Sequence, residues 1–261
     1  MAKIILAIPA YNCEKQITRV LESIKKHINK FNEIIVIENK SSDNTLLEIS
    51  EFVKKNHLKN VKIYQNENNI NLGGSHINIF DYFLNSVNDY LLVMHGDDQA
   101  DIEDFIKIEN EVKNFEWVKF SRFHPQSKLL GYSKLKIIGN KFFNFLFSLI
   151  LRKKVYDIGS GLDLYNKSFI REVPFKNFPL NLTFDYYLII FGMYKNKVMF
   201  LPQSWKEEDQ ISNVRLFKQS IELVKIFMEF FYLTIINNQK KFFEKNRNKC
   251  DQSFFNKFEI K

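Results

Sequence analysis

The stretch 90-YLLVMHGDDQADIEDF-105 joins an apolar run to a cluster of acids. Residues 90–94 are apolar or aromatic, which is typical of a short strand buried in a parallel sheet. Asp97 and Asp98 follow where that strand ends. Two adjacent aspartates in a turn can cap a following helix, predicted here at 101–108, or can hold a hard divalent cation through oxygen. The spacing alone leaves both interpretations open.

Strands and helices alternate along the first part of the chain. The apolar pattern predicts strands at 3–8, 33–38, 61–65 and 90–94, with helix-like stretches between them. This alternation predicts an α/β fold with a mostly parallel central sheet flanked by helices. Ligands of such sheets bind at the carboxyl ends of the strands. The loops of interest are therefore 9–14, which Pro9 begins by breaking the first strand, 38–45 and 95–101.

The second half of the chain is less regular. Its pattern predicts strands at 117–123 and 197–202 and a helix at 184–194. A longer helix is predicted at 214–236, with apolar residues spaced by three and four: Phe217, Ile221, Val224, Met228, Phe231 and Ile235. Charged residues interrupt this helix, so it is amphipathic rather than membrane-spanning.

The composition limits the class of protein. A chain of 261 residues suits one large α/β domain, or a core domain with an extension. The net charge of +8 favours an anionic partner. Cys13 and Cys250 are far apart and form no metal-ligand spacing, which favours a reduced, cytosolic setting. No apolar run is long enough for a spanning helix or a secretory signal.

Polar residues at the strand ends are the candidate site. His95 and Gln99 lie two residues on either side of Asp97, where they can complete a set of metal ligands. Glu38 and Asp43 can accept a proton from a nucleobase imide or a ribose hydroxyl. Such residues are equally common in turns for backbone reasons, so both interpretations stand.

Together these loops resemble the family 2 glycosyltransferases of the GT-A fold. The family's P-x-Y-N, D-D-G-S-x-D-x-T, N-x-G and D-x-D patterns correspond to 9–12, 38–45, 71–73 and 95–97. The resemblance implies a site for a UDP-, GDP- or dTDP-linked sugar. Its predicted residues are Pro9, Ala10, Tyr11, Asn12, Glu14, Glu38, Asn39, Ser41, Asp43, Gly73, Gly96 and Asp97. It also implies Mn²⁺ or Mg²⁺ held by Asp97, Gln99 and His95.

Further motifs resemble the polyprenyl-phosphate branch of the family, such as the dolichol-phosphate mannose synthases. That branch carries D-x-D-x-Q, then S-R, G-N and D-x-x-S-G, which correspond to 95–99, 121–122, 139–140 and 157–161. This second resemblance implies that Asp157, Ser160 and Gly161 line the acceptor side.

Three positions depart from the family pattern. Glu38 stands where an aspartate usually contacts the nucleobase, and Asn39 replaces a second acid. His95 replaces the first aspartate of the metal motif. Imidazole can bind Mn²⁺, whereas carboxylates suit Mg²⁺ better. His95 is therefore either a metal ligand or a residue that only shapes the turn.

The resemblance implies an inverting transfer through an oxocarbenium-like transition state. Asp97 and Gln99 stabilise the departing diphosphate through the metal, and Arg122 either contacts that diphosphate or is an ordinary surface arginine. Asp185 is either the general base or the N-cap of its helix. A phosphate acceptor needs little help from a base. The polar stretch 205–215 is predicted to be a mobile lid that contains Ser212 and Arg215.

The predicted acceptor is a polyprenyl phosphate, or a lipid-linked or cell-surface glycan. Basic amphipathic segments at 142–154 and 214–236 and the pairs at 242–243 and 254–255 predict peripheral binding to an anionic membrane, at its cytoplasmic face. The same helices can instead pack on the core or form a homo-oligomer. Nucleic acid is not an expected partner, because Asp97 and Asp98 would repel it.

The predicted organisation is a GT-A domain at 1–212 and a basic amphipathic helical extension at 213–261. The domain divides into a nucleotide-sugar half at 1–122 and an acceptor half at 123–212. Two other functions remain open. A nucleotidyltransferase usually needs a glycine-rich phosphate loop, which 9–12 lacks. A non-catalytic sugar-nucleotide binder would accommodate the altered acids.

Overall fold

An eight-stranded sheet forms the centre of the part of the chain that the structure, a computed structural model, describes: residues 2–209, 216–248 and 256–260. The strands are β1 (Ile4–Ala10), β2 (Glu33–Glu38), β3 (Val61–Asn66), β4 (Tyr90–Met94), β5 (Trp117–Ser121), β6 (Lys128–Leu130), β7 (Leu162–Asn166), β8 (Val198–Pro202), β9 (Ser204–Lys206) and β10 (Lys257–Ile260). β6 and β9 form a separate parallel pair.

The order across the main sheet is β10-β3-β2-β1-β4-β7-β5-β8. Only β7 and β10 run against the other strands of this described sheet. The predicted mostly parallel α/β fold is confirmed. Because β2 and β4 flank β1, the chain reverses its direction of winding there, which is the usual ligand position in an open α/β sheet.

Helices cover both faces of the sheet. They are α1 (Ile17–Lys25), α2 (Thr45–Lys55), α3 (Asn71–Asn85), α4 (Glu103–Ile106), α5 (Lys134–Leu151), α6 (Lys167–Glu172), α7 (Phe184–Tyr194), α8 (Leu216–Ile235) and α9 (Gln239–Glu244). Short 3-10 helices occur at Ile28–Lys30, Glu109–Asn114 and Phe175–Asn177. One apolar core includes residues of α1 and α2, and the other joins α3, α5, α7, α8 and α9. The C-terminal helices therefore share a core with the acceptor half, and the predicted boundary at 212–213 stays a prediction.

β1 is longer than its sequence predicts. Pro9 was expected to break it, yet Pro9 and Ala10 continue the pairing with β2 opposite Ile37 and Glu38. Proline cannot donate to a ladder. The paired register with β4 ends at Ala7 and Val93, so the missing N–H falls beyond that ladder. The Pro9 carbonyl still accepts from the Gly96 N–H at 3.1 Å.

β7 places the acceptor-side loop beside the end of β4. It runs antiparallel between β4 and β5, with Leu162 opposite Met94. The His95 N–H donates to the Gly161 carbonyl at 3.1 Å, directly beyond this pairing. Residues separated by more than 60 positions in sequence thus meet at one edge of the sheet.

α8 has two apolar faces. The stripe that the sequence selected, which contains Phe217 and Met228, is exposed to solvent. A second stripe faces the core and consists of Leu223, Ile226, Phe230 and Leu233. A helix that is apolar on its outer side as well as its inner side is suited to a further partner.

The tail phenylalanines 242–243 were predicted to contribute to membrane binding, and this prediction is wrong. Phe242 and Phe243 are buried, and the Phe242 ring stacks on Tyr187 with centroids 4.8 Å apart. Side chains buried in the core cannot also insert into lipid. Residues 254–255 lie outside the described residues. In the described ranges, no helix combines the length and the hydropathy needed to cross a membrane.

Candidate active site

A cavity of about 380 Å³ lies at the carboxyl ends of β1, β2 and β4; it is called here the β1–β4 cavity. The predicted nucleotide-sugar residues in its wall are Pro9, Ala10, Tyr11, Asn12, Asn39, Gly96 and Asp97. His95 and Gln99, predicted as metal ligands, line it as well. The structure therefore brings together most of the motif residues of three loops.

The remaining predicted residues of these loops cross-link the walls. The Ser41 hydroxyl accepts from the Asn12 N–H at 3.0 Å, and the Asp43 carboxylate accepts from the Glu14 N–H at 3.2 Å. The Glu14 carboxylate in turn accepts from the Asn44 N–H at 3.0 Å. Ser41, Asp43 and Glu14 thus fix one loop against the other instead of lining the cavity.

Glu38 is fully engaged within its own loop. Its buried carboxylate accepts from the Ser41 N–H at 2.6 Å, the Lys40 N–H at 3.2 Å and the Gln65 amide at 2.8 Å. Lys40 has a φ of 58°, a left-handed conformation that this contact helps to hold. Glu38 does not line the cavity, and its predicted role at the nucleobase stays a prediction.

An asparagine cluster forms the far wall of the cavity, which the sequence pattern did not predict. The Asn39 side-chain oxygen, Oδ1, accepts from the Asn66 side-chain amide at 2.9 Å and from the Ile70 N–H at 3.0 Å. The Asn39 amide group donates to Asn69 at 3.0 Å. Asn69 and Asn71 line the cavity. The run 66-NENNIN-71 at the end of β3 was the available signal, because amides at a strand end can contact ligands and one another.

Gly73 acts through packing. A methyl group at this position would lie 2.4 Å from the Pro179 carbonyl oxygen, so only glycine allows α3 to approach this segment. The next residue, Gly74, donates its N–H to Leu180 at 3.2 Å. This contact brings Leu182 into the cavity wall.

Asp97 is the half-buried acid of the cavity. Burial raises the pKa of its carboxyl to about 6, and the nearby Asp98 adds to the rise. The Gln99 N–H donates to Asp97 at 3.2 Å. In the described part of the chain, no three His, Cys, Asp or Glu side chains could together hold a metal. One carboxylate and the Gln99 amide nevertheless fit a cation that takes its other ligands from a diphosphate and water.

Asp98 belongs to an ion-pair cluster. Its buried carboxylate lies 2.6 Å from Arg19 Nε and 2.8 Å from Lys206 Nζ. The next helix is capped by Asp101, which accepts from the Glu103 N–H at 3.0 Å. The helix-cap role predicted for Asp98 is therefore wrong, and its role as a second metal ligand stays a prediction.

His95 packs at the floor of the cavity. A methyl group on Gly161 would lie 2.7 Å from His95 Nδ1, and the His76 ring meets the His95 ring edge-on at 5.8 Å. Burial and the neighbouring His76 lower the His95 pKa to about 4, so the imidazole is neutral at neutral pH. Metal ligation by this imidazole stays a prediction.

Arg122 is buried, so the surface-arginine interpretation is wrong. Its Nε and Nη2 atoms donate to the two Asp157 oxygens at 2.8 and 2.7 Å. Burial alone would raise the Asp157 pKa, but Arg122 outweighs it and holds that pKa below its usual value. The Arg122 guanidinium also lies over the Trp205 ring, 5.0 Å from its centroid.

A second cavity, of about 430 Å³, begins at Arg122 and runs between α5 and α8; it is called the α5–α8 cavity. Polar groups at one end include Arg122, Tyr132, Lys136 and Trp205, while the lining of the helices includes Leu135, Phe143, Phe217 and Leu223. Gln99 lines both cavities. The two spaces therefore adjoin at the residue that follows the acid pair.

The segment 157–161, which contains the predicted acceptor-side residues, contacts the walls of both cavities. Asp157 holds Arg122 and Gly159 lines the α5–α8 cavity, whereas Gly161 packs against His95 of the β1–β4 cavity. The Ser160 hydroxyl is buried with no hydrogen-bond partner in the described ranges.

A buried ion pair that the sequence did not predict fixes this loop. Lys119 Nζ lies 3.2 Å from Asp163, and it donates to the Ser160 carbonyl at 3.4 Å. Trp117 also donates to Asp163, at 2.9 Å. Burial raises the Asp163 pKa to about 7, although Lys119 opposes the rise. Alternation within two buried strands gives no sign of such a pair.

Asp185 lies in the first turn of α7 and lines neither cavity. Its neighbours Leu182 and Tyr186 line the β1–β4 and the α5–α8 cavity respectively. Thr183 occupies the N-cap position, and its N–H donates to Asn181 at 2.9 Å. The N-cap interpretation of Asp185 is therefore wrong, and its role as a base stays a prediction.

The beginning of the predicted lid is held against the site. The Lys206 N–H donates to the Gln99 carbonyl at 3.0 Å, and Asp209 lies 2.7 Å from Arg19 Nη2. Within the described part of this segment, Trp205 and Glu207 line the α5–α8 cavity. Ser212 and Arg215 lie outside the described residues.

Comparison with known families agrees with this geometry. Residues 5–173, which are more than half of the chain, match the family described as glycosyl transferase family 2. The chain therefore belongs to this family and is a glycosyltransferase.

One characterised relative comes from Methanococcus voltae. It is a dolichyl N-acetyl-alpha-D-glucosaminyl phosphate 3-beta-D-2,3-diacetamido-2,3-dideoxy-beta-D-glucuronosyltransferase, 31% identical over 116 residues. The match covers 44% of this chain and 34% of the relative, so the chain spans about a third of that protein's length.

Solved structures confirm the GT-A fold. Mannosyl-3-phosphoglycerate synthase from Rubrobacter xylanophilus superposes with a TM-score of 0.64 at 12% identity, over 98% of this chain and 80% of that one. Glucosyl-3-phosphoglycerate synthase from Mycobacterium tuberculosis, in complex with Mn²⁺, UDP and glucosyl-3-phosphoglycerate, gives 0.57 at 11% identity, over 92% and 80%. At such identities the likeness concerns the fold.

Proposed function

We propose that the protein transfers a sugar from a nucleotide-sugar in the β1–β4 cavity to a prenyl phosphate in the α5–α8 cavity, with inversion at the anomeric carbon. One observation carries this proposal: the two cavities adjoin at Gln99, between an acid suited to a metal-diphosphate and a buried arginine. Inversion needs the acceptor to approach from the side opposite the leaving group, and adjoining cavities permit it.

On the donor side, Asp97 and Gln99 would hold Mn²⁺ or Mg²⁺ together with the donor's phosphates. The bound cation supplies neutralisation of charge on the departing diphosphate. The chain's own residues orient the nucleotide: Asn39 and Asn69 are fixed by the asparagine cluster, and Tyr11 is partly exposed at the cavity wall. The crystal complexes of the M. tuberculosis enzyme with Mn²⁺ and UDP support a divalent metal here.

On the acceptor side, the described residues leave several hydrogen-bond donors without a protein acceptor, and these can bind a phosphate. The Arg122 guanidinium has five N–H groups, and three of them donate to Asp157 and Tyr132. The Tyr132 hydroxyl accepts from both Arg122 and Asn140, so its own proton can point into the cavity. The Trp205 indole N–H is buried with no partner in the described part of the chain.

The polar end of the α5–α8 cavity does not attract the acceptor phosphate through an excess of positive charge. Asp157 balances Arg122, and Glu207 forms an ion pair with Lys136 at the same end of the cavity. A phosphate would therefore be bound by the directed N–H and O–H donors. We expect acceptor affinity to depend less on salt than affinity based on unpaired charges.

The apolar end favours a prenyl chain. Leu135 and Phe217 line the mouth and are 70% and 81% exposed. A small polar acceptor would leave this rim without a function, whereas an isoprenoid would cover it. The name of the M. voltae relative gives as its acceptor a sugar carried on dolichyl phosphate, which supports a prenyl chain in this cavity but has a sugar rather than a bare phosphate as the accepting group. The polyprenyl-phosphate branch is proposed on these grounds.

A phosphorylated small acid is the second candidate acceptor. The solved neighbours are named as synthases of glycosyl-3-phosphoglycerates, and free donors around Arg122 would also suit that phosphate. A substitution of Asp185 distinguishes the two candidate acceptors. A prenyl phosphate is already anionic and needs little base, so Asp185→Asn should lower turnover only slightly; a hydroxyl acceptor makes the same change costly, by about a hundredfold or more.

A donor screen followed by an acceptor assay tests the proposal. The melting temperature is measured with UDP-, GDP- and dTDP-sugars and Mn²⁺, and the stabilising donor is then incubated with farnesyl phosphate or 3-phosphoglycerate. Glycosylated farnesyl phosphate in the mass spectrum is the expected result. Glycosylated phosphoglycerate alone would select the second candidate. Binding without hydrolysis or transfer would indicate a non-catalytic binder, and pyrophosphate release a nucleotidyltransferase.

A further inference from the structure

Two helices beside the α5–α8 cavity expose rows of large apolar side chains. On α5 the exposed fractions run from 54% to 70%, at Leu135, Ile138, Phe142, Phe145 and Leu149. On α8 they run from 41% to 81%, at Phe217, Ile221, Val224, Met228, Phe231 and Ile235. These two rows are called the α5–α8 face. Contiguous exposed apolar surface of this kind marks an interaction site.

The outward position of both rows follows from helix geometry. In each row the residues recur at intervals of three and four, so each row occupies one side of its helix. The two helices contact one another through other residues: the rings of Phe147 and Phe227 meet edge-on at 5.7 Å. The core is already filled by the second row of α8, which includes Leu223 and Phe230. The outer rows are therefore surplus to folding.

The charges around this face are positive. The segment 134–154 contains six basic residues and no acid: Lys134, Lys136, Lys141, Arg152, Lys153 and Lys154. One of them, Lys136, is already paired with Glu207. Both acids of α8 are already paired, Glu222 with Lys225 and Glu229 with Arg247. Basic residues that flank apolar side chains complement anionic lipid headgroups above acyl chains.

A second copy of the chain fits this face less well. A two-fold interface places the same patch against itself. The basic segment that follows α5 would then be brought close to its own copy without acids to compensate it. A bilayer offers anionic headgroups and apolar chains together, which is the combination that the face requires.

The face is continuous with the mouth of the cavity. Leu135 and Phe217 belong to both, so any partner of the face also covers the entrance of the α5–α8 cavity. We infer that the α5–α8 face docks the protein on an anionic bilayer, such as a cytoplasmic leaflet, and that the acceptor's prenyl chain enters the cavity directly from the lipid. The second half of this inference rests on the proposed function; the docking itself does not.

Vesicle binding by the full chain tests the docking. The variant Phe145→Ser/Leu149→Ser/Met228→Ser removes three face residues that do not line the cavity. The matched control Leu47→Ser/Val87→Ser/Met199→Ser removes three equally exposed apolar residues elsewhere. Sedimentation is measured with phosphatidylcholine vesicles, with and without phosphatidylglycerol. The face variant should bind the anionic vesicles about tenfold more weakly, and the control should match the unchanged protein.

Three results would overturn the docking: no binding of the unchanged protein to anionic vesicles, equal loss in both variants, or a dimer that only the face variant dissociates. Measuring hydrolysis of the nucleotide-sugar in lipid-free buffer distinguishes failure of the docking from failure of the proposed function. Both triple variants should hydrolyse donor at the rate of the unchanged protein. If vesicle binding follows the expected pattern but no donor is hydrolysed or transferred, the docking stands and the proposed function fails.

Discussion

The β1–β4 cavity and the α5–α8 cavity adjoin at Gln99 but are built in different ways. The first is walled by loops that side chains tie to one another, as Ser41 ties Asn12 and Asp43 ties Glu14. The second lies between helix faces, with one buried ion pair at its polar end and an exposed apolar rim at the other. A preformed polar cavity suits a soluble nucleotide. An open cavity with an apolar rim suits a ligand that is presented by a lipid bilayer, because the lipid covers the rim.

The largest expected effect concerns the polar end of the second cavity. Arg122→Met leaves the Asp157 carboxylate buried without its partner, which should lower the free energy of unfolding by about 3–5 kcal/mol at neutral pH. Urea unfolding measures it. Arg122→Met/Asp157→Leu should recover part of the loss. The exposed pair Lys240–Glu244 is the control, since Lys240→Met should change stability very little.

The pH dependence of this effect has a definite sign. Arg122 lowers the folded-state pKa of Asp157 below its ordinary value of 3.8, so the pair's contribution is complete above that pH. It is lost as the pH falls through the lower, folded-state pKa. The stability difference between the unchanged protein and Arg122→Met should therefore shrink in acid. A difference that grows in acid would contradict this assignment.

The next effect concerns the acid of the first cavity. Asp97→Asn should lower kcat for donor hydrolysis by at least about a hundredfold with Mn²⁺ or Mg²⁺, because a neutral amide binds a cation weakly. Steady-state kinetics measure it. The matched control is Asp101→Asn, which lies on the same loop, is exposed, and can still cap α4. Equal losses in the two variants would remove Asp97 from the site.

A smaller effect tests the packing of Gly161 against His95. Gly161→Ala would place a methyl group 2.7 Å from His95 Nδ1, which should destabilise the fold by about 1–3 kcal/mol. Gly139→Ala on α5 meets nothing within 4 Å and should gain about 0.5–1 kcal/mol, since alanine favours helix. Thermal unfolding compares the variants. The same sign of change in both would contradict the packing at His95.

The smallest effect concerns the cluster at Asp98. Asp98→Asn removes the charge but keeps a residue that tolerates the φ of 60° found here. Arg19 and Lys206 are partly exposed, so the expected loss is only about 1 kcal/mol. Added salt should lower the free energy of unfolding of the unchanged protein more than that of the variant. Unfolding at low and high salt measures this difference, and an equal response to salt would show that the ion pairs contribute nothing.

The first cavity was predictable because its residues follow one another on loops at known strand ends. Strand β4 and helix α7 have the bounds that their apolar patterns predict, and the loops after β1 and β4 carry motif residues. The helix-cap interpretation of Asp98 failed because Asp98 pairs with cations that include Lys206, which comes from a distant strand. A sequence pattern shows which residues share a loop but does not show which distant cation reaches it.

The second cavity was less predictable because it depends on tertiary packing. Arg122 and Asp157 matched motifs, yet their bidentate contact required β7 to insert between β4 and β5. The outer apolar row of α8 was recognised as a possible membrane-binding row, but the second, buried row was not. Two apolar rows on one helix compete for the core, and contacts with α5 and α9 decide which is buried.

The Michaelis constants of Arg122→Lys for both substrates test the central claim, that the two cavities bind different substrates. Lysine keeps the charge but loses the forked donors that hold Asp157 and face the second cavity. The account predicts that KM for farnesyl phosphate rises by about tenfold or more while KM for the nucleotide-sugar stays within about twofold. A rise confined to the nucleotide-sugar would contradict it, because Arg122 would then serve the donor.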